Sequence, residues 1–138
     1  MRAGSGDFLD SNVLIYAFTD EPKADAALVL LDQRPIISVQ GLNEFVHVGR
    51  RKLGMDWQQV REAVEALREL CPIILAIEKR TQEEALRIAE RYGYSIFDSC
   101  IVASALEAGS DILWSEDMHH GMVIDGRLRI ANPFRTES

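Results

Sequence analysis

Four carboxylates sit where a parallel fold would gather them. Asp10 ends the apolar run Phe8-Leu9-Asp10 and opens Ser11-Asn12-Val13-Leu14-Ile15. Asp98 heads a nearly all-apolar stretch, Asp98-Ser99-Cys100-Ile101-Val102-Ala103-Ser104-Ala105. Asp117 follows a second strand-like run, Ile112-Leu113-Trp114-Ser115-Glu116-Asp117, and Glu44 lies in a helix-like stretch between. Acids at the ends of buried strands and helices are costly unless paired, hydrogen-bonded or bound to metal. If the strands are neighbours in one sheet, these acids meet at one edge. Clustered carboxylate oxygens suit a hard cation, and the chemistry they suggest is phosphodiester cleavage.

Each acid also has a plainer explanation. Asp10 could simply cap the helix after it, and Asn12 could hold its carboxylate by a hydrogen bond. Glu44 sits beside Phe45 on a helical wheel, outside the apolar stripe, as a surface glutamate would. Asp98 suits a first helical turn behind Ser95, a capping-box arrangement. The helix behind Asp98 is apolar almost all round, however, so an acid at its mouth faces a cleft. Asp117 could be a turn acid, and Glu116 could take its place, because strand alternation only partly fixes which of the two points inward. Ligands of open α/β sheets bind outside the carboxyl ends of strands, where both stand.

Other chemistries are poorly supported. His119 and His120 are adjacent, so they point in different directions, and no paired cysteine or helical His-x-x-x-His accompanies them. Ser11, Ser99, Ser104 and Ser115 lack the Gly-x-Ser-x-Gly setting of a nucleophile elbow. There is no Gly-rich phosphate loop and no dinucleotide fingerprint.

The elements that must position the acids alternate between strand and helix, which argues for an α/β fold with a mainly parallel sheet. Strands are expected near Phe8–Asp10, Pro35–Val39, Ile73–Ile77 and Asp111–Ser115, with a hairpin at Asp125-Gly126 between Met122 and Ile130. A short helix is expected over Ser11–Tyr16. Pro22 opens the next, with Ala24, Ala27, Leu28 and Leu31 inward. Leu42, Phe45, Val46 and Gly49 share one face of a third helix. Asp56 caps a fourth, and Thr81-Gln82-Glu83-Glu84 reads as the capping box of a fifth. Ser95 caps the last.

The chain has 138 residues, a size expected of one domain, here residues 7–138. Residues 1–6 read as a flexible N-terminal segment or a cloning remnant. No apolar run is long enough to span a membrane and no signal core opens the chain, so a cytoplasmic location is expected. Cys71 and Cys100 read as reduced core residues. The net charge of −7 counts against nonspecific nucleic-acid binding. It does not exclude a nuclease, because bound dications offset clustered acids. Arg50-Arg51-Lys52 and Arg127/Arg129 are the basic concentrations, either solvated faces or phosphate contacts.

The four acidic motifs, in this order, resemble the PIN-domain family. Phe8-Leu9-Asp10-Ser11-Asn12-Val13-Leu14 looks like its opening motif and Asn43-Glu44-Phe45 like its second. Ser95-Ile96-Phe97-Asp98-Ser99 resembles the third, and Leu113-Trp114-Ser115-Glu116-Asp117-Met118 the fourth. Each motif is weak alone; four in register are specific, and the spacing resembles VapC-type toxins of type II toxin–antitoxin systems. The resemblance implies a three-layer sandwich, with a central, mainly parallel sheet of four to five strands flanked by helices. It implies Mg²⁺ or Mn²⁺ held by Asp10, Glu44, Asp98 and Asp117, with Asn12 and Ser115 as supporting residues. Ser11 and Ser115 stand where threonine is common. It also implies endonucleolytic cleavage of RNA, a homodimer and a cognate antitoxin. The rival readings are an inactive PIN-like module that only binds a partner, and a phosphoryl-accepting receiver domain. The latter needs a lysine after a late strand, and Lys23, Lys52 and Lys79 fit poorly.

Overall fold

A computed structural model describes residues 6–135. The expected segment 1–6 therefore lies outside the described residues except for Gly6. Six strands form one sheet: β1 (Phe8–Leu9), β2 (Ile36–Ser38), β3 (Ile73–Leu75), β4 (Ile112–Trp114), β5 (Val123–Ile124) and β6 (Leu128–Ala131). Their order is β3-β2-β1-β4-β6-β5, parallel throughout except for the β5–β6 hairpin. The sheet has one strand more than the upper expectation because both arms of the hairpin join it.

Six helices connect the strands: α1 (Ser11–Tyr16), α2 (Lys23–Leu31), α3 (Val39–Arg51), α4 (Trp57–Leu70), α5 (Lys79–Tyr92) and α6 (Ile96–Ala108). Side chains of a strand alternate between faces, and the core divides accordingly. Phe8, Ile36 and Leu113 join Ile88 of α5 and Ile101 of α6 on one side. Leu9 and Ile37 join Val13, Leu30, Phe45 and Leu67, from α1 to α4, on the other. Two helical layers thus cover a parallel sheet, as near-continuous apolar strands require.

Several local expectations shift. Val39 leaves β2 to open α3, because the Ser38 hydroxyl accepts from the Gly41 N–H (3.0 Å) and caps the helix. Pro22 stands at the cap of α2 rather than in its first turn. Leu28 is 49% exposed, and Leu30 is buried in its place. The run Ala26-Ala27-Leu28-Val29-Leu30-Leu31 is apolar on every face, so periodicity could not choose the inward one. α5 begins at Lys79 rather than at the Thr81 box. Thr81 instead serves the turn before it, accepting from the Glu78 N–H (3.2 Å). Asp56 caps α4 as expected, and reciprocal bonds with Gln59 complete a capping box. Both cysteines are buried, and burial lifts the Cys71 thiol to about 11.

The hairpin turn is left-handed at both central residues, with φ of 52° at Asp125 and 70° at Gly126. These two residues open a tight three-residue loop, 125–127, between Ile124 and its ladder partner Leu128, and the second position favours glycine. Arg87 of α5 clamps the turn through the Asp125 carboxylate (2.6 and 3.2 Å). Gly126→Val is expected to lower stability by about 1–3 kcal/mol, read as a shifted urea midpoint with unchanged slope.

Candidate metal and active site

β1 is flanked by β2 on one side and β4 on the other, so the strand order reverses there. A crevice opens at the carboxyl ends of strands at such a switch point. Asp10 follows the end of β1, and Ser115 to Asp117 follow the end of β4. The Asp10 N–H donates to the Trp114 carbonyl (3.0 Å), which extends the ladder and locks the two strand ends together. The result is an open cleft of about 870 Å³, lined by Asp10, Glu44, Asp98 and Asp117 among others.

Asp10 is the most enclosed of the four, at 3% exposure. One carboxylate oxygen accepts from the Ser11 N–H (2.7 Å), so Asp10 does cap α1. The other accepts from the Ser115 hydroxyl (2.8 Å) and the Asn12 amide (3.3 Å). Capping and site membership are therefore the same arrangement, not alternatives. Burial pushes the Asp10 carboxyl up to about 6, against the lowering effect of the Ser115 and Ser11 bonds. The charges that act on it, Asp98 and Glu44, are both negative and raise it further.

Asn12 joins the two strand ends. Its amide also donates to Asp117 (3.2 Å), while its carbonyl accepts from the Glu116 N–H (3.1 Å). Asp117 thus shares Asn12 with Asp10. Glu116 turns the other way, accepting from the Tyr16 hydroxyl (2.9 Å) and pairing with Lys23. Both acids line the cleft, but the Glu116 carboxylate is taken up by Tyr16 and Lys23, whereas that of Asp117 shares Asn12 with Asp10. Glu44 of α3 is brought in by Ser11, whose hydroxyl donates to it (2.8 Å). Asp98 lies in the first turn of α6, behind the Ser95 cap, whose hydroxyl accepts from the Asp98 N–H (3.1 Å). Only this forward half of the expected capping box forms. The Asp98 carboxylate accepts no hydrogen bond among the described residues, and burial together with Asp117 raises its pKa.

All four acids border one cleft, and Asn12 and Ser115 brace two of them, Asp10 and Asp117. The sequence reading missed Ser11 as the link between Asp10 and Glu44. Its hydroxyl type and its place next to Asp10 were the only available signal. Lys23 and Tyr16 were also missed; the two meet each other (3.4 Å) and Glu116 only in the folded chain, so no sequence signal pairs them. The donors are all carboxylate oxygens, the set preferred by Mg²⁺ or Mn²⁺. A buried acid whose charged neighbours are negative has a direct electrostatic need for a cation. The residues therefore fit a hard dication. The site is open rather than preassembled: among the described residues no three such side chains lie close enough together to hold an ion without moving.

The sequence matches the PIN domain family over residues 8–121. This chain belongs to the PIN domain family. Solved structures share the fold of this PIN domain. A toxin–antitoxin complex from Klebsiella pneumoniae aligns with a TM-score of 0.73 at 20% identity, over 94% of this chain and 99% of that one. VapC20 of Mycobacterium tuberculosis, a sarcin-ricin loop cleaving toxin, aligns with a TM-score of 0.67 at 17% identity, over 80% and 91%. VapBC2 from Rickettsia felis, bound to a DNA fragment from its promoter, aligns with a TM-score of 0.67 at 16% identity, over 91% and 97%. The comparison with curated proteins gives no significant match. No helix of this PIN domain is long and apolar enough to cross a membrane, among the described residues.

Proposed function

We propose that this PIN domain is a divalent-metal-dependent endoribonuclease, the toxin of a toxin–antitoxin pair. The observation that carries the reading is the gathering of Asp10, Glu44, Asp98 and Asp117 around one cleft at the β1/β4 switch point. The likeness to toxin structures supports it. Asp10 and Asp98 are the most direct ligands in this reading, and Glu44 and Asp117 complete the set. When bound, Mg²⁺ or Mn²⁺ supplies charge stabilisation at the phosphate and makes the attacking water more acidic.

The chain's own residues do the rest. Asn12 and Ser115 fix the rotamer of Asp10 from the β4 side. Ser11 aims Glu44 at the same space. Asp98, without a protein hydrogen bond, keeps both oxygens available for a ligand. The acids together repel a bare RNA backbone, so the metal-free protein binds the scissile phosphate poorly. A cognate antitoxin, a homodimer and a cytoplasmic RNA target belong to the same proposal.

Removal of the Ser11 hydroxyl frees Glu44 to leave the cleft. Ser11→Ala is expected to lower the cleavage rate about ten- to hundredfold, the usual loss for a partner that orients a ligand, while Ser11→Thr retains activity. Single-turnover rates on one RNA decide it.

One observation favours a second reading, a catalytically inactive PIN-like module that binds a protein partner: the acids are not closed around a point. Induced expression of the chain alone in bacterial cells separates the two. Growth arrest with accumulating RNA fragments supports the toxin ribonuclease. Normal growth with abundant folded protein, and intact RNA, supports the binding module.

A further inference from the structure

Phe97 is 64% exposed, the highest value among the large apolar side chains described. Scattered exposed apolar residues need no explanation in general. Phe97 differs by its position, because it precedes Asp98 and lines the same cleft as the four acids. Its backbone is held on two sides. The Ser95 cap fixes the first turn of α6, and the Gln40 amide of α3 donates to the Phe97 carbonyl (3.4 Å). An aromatic ring thus stands on a fixed backbone at the lip of the candidate active site.

We propose that Phe97 is a stacking platform for one nucleobase next to the scissile phosphate, a base that must be splayed out of any helix to reach the ring. This rests on the ribonuclease reading above. The chain's charge of −7 and the acids of the cleft disfavour holding RNA by its phosphates alone. A base has a neutral π-face, so stacking supplies affinity where charge cannot. A base inside an A-form helix has its faces covered by neighbours, whereas one in a loop or single strand can be splayed onto a ring. Asn43 and His47 of α3, and Lys52 at its C-cap, line the same cleft. They offer hydrogen bonds and one positive charge to the strand that carries the stacked base.

The test uses short single-stranded oligoribonucleotides spanning the mapped cut site, with 2-aminopurine placed at each position in turn. Binding is read with the non-cleaving Asp98→Asn protein and turnover with the otherwise wild-type chain. Quenching is expected at one position beside the cut. Phe97→Leu removes it and raises KM about tenfold with little change in kcat, whereas Phe97→Tyr retains both. Equal quenching and KM in Phe97→Leu overturn the stacking role while the ribonuclease reading stands. Unchanged RNA kinetics with weakened binding of a protein partner would mark Phe97 as a protein contact and overturn it likewise. A wild-type protein that cleaves no RNA overturns the underlying reading and the stacking role with it.

Discussion

On the proposed ribonuclease reading, Asp98→Asn is expected to reduce RNA cleavage by on the order of a thousandfold or more, with the fold intact, because it would remove a metal-facing charge worth several kcal/mol. The fold is expected to survive because Asp98 is only partly buried and its carboxylate makes no hydrogen bond among the described residues. The Ser95 cap of α6 uses the Asp98 backbone N–H, which asparagine keeps. Asparagine preserves size and shape while discarding the charge. Circular dichroism and thermal midpoints near those of wild type, together with lost cleavage, are the expected pair of results. Wild-type activity in a folded variant would remove Asp98 from the site.

In the metal-free protein, Asp10 is expected to contribute stability that falls with rising pH. Its carboxyl is raised from 3.8 to about 6 by burial, so the native state holds a proton that the unfolded chain releases. The contribution is fully present below about pH 4 and is lost as pH rises through about 6, by about 3 kcal/mol in all. Asp98, also raised, acts in the same direction. Asp125 acts in the opposite direction, because the Arg87 guanidinium holds its carboxyl below the usual range. Comparison with Asp10→Asn isolates the effect. Urea unfolding in EDTA should show wild type losing about 3 kcal/mol relative to the variant between about pH 4 and pH 7. Mn²⁺ at about a hundred times its Kd should return about 2.7 kcal/mol to wild type at neutral pH and much less to Asp10→Asn. Parallel pH curves for the two proteins would contradict a buried, uncompensated Asp10.

The fold was largely legible from the order of apolar runs. Parallel strands leave continuous apolar stretches, and those at Phe8, Ile36, Ile73 and Ile112 are all strands, although the edge strand at Ile73 is partly exposed. Asp10 and Asp117 were legible because both follow such stretches. Glu44 was not legible from its own surroundings. It enters the site only because α3 packs against α1 and the Ser11 hydroxyl reaches across 33 positions of sequence. Register in such cases depends on tertiary packing, which periodicity does not contain. The same limit explains Leu28, where an all-apolar helix offered no preferred face. It explains the start of α5 too. The pattern at Thr81 is a good cap signal, but Lys79 and Arg80 were already helical. The different surroundings of Glu116 and Asp117 depend on Asn12, Tyr16 and Lys23, partners from two other helices that strand alternation does not contain.

The most direct measurement is cleavage of total cellular RNA by the antitoxin-free protein, in Mg²⁺ or Mn²⁺ and in EDTA, beside Asp98→Asn. Discrete fragments with defined ends are expected with metal and wild-type protein, and neither in EDTA nor with the variant. Intact RNA after incubation with folded, metal-loaded wild-type protein, or identical fragments in EDTA, would contradict a metal-dependent ribonuclease built on these four acids.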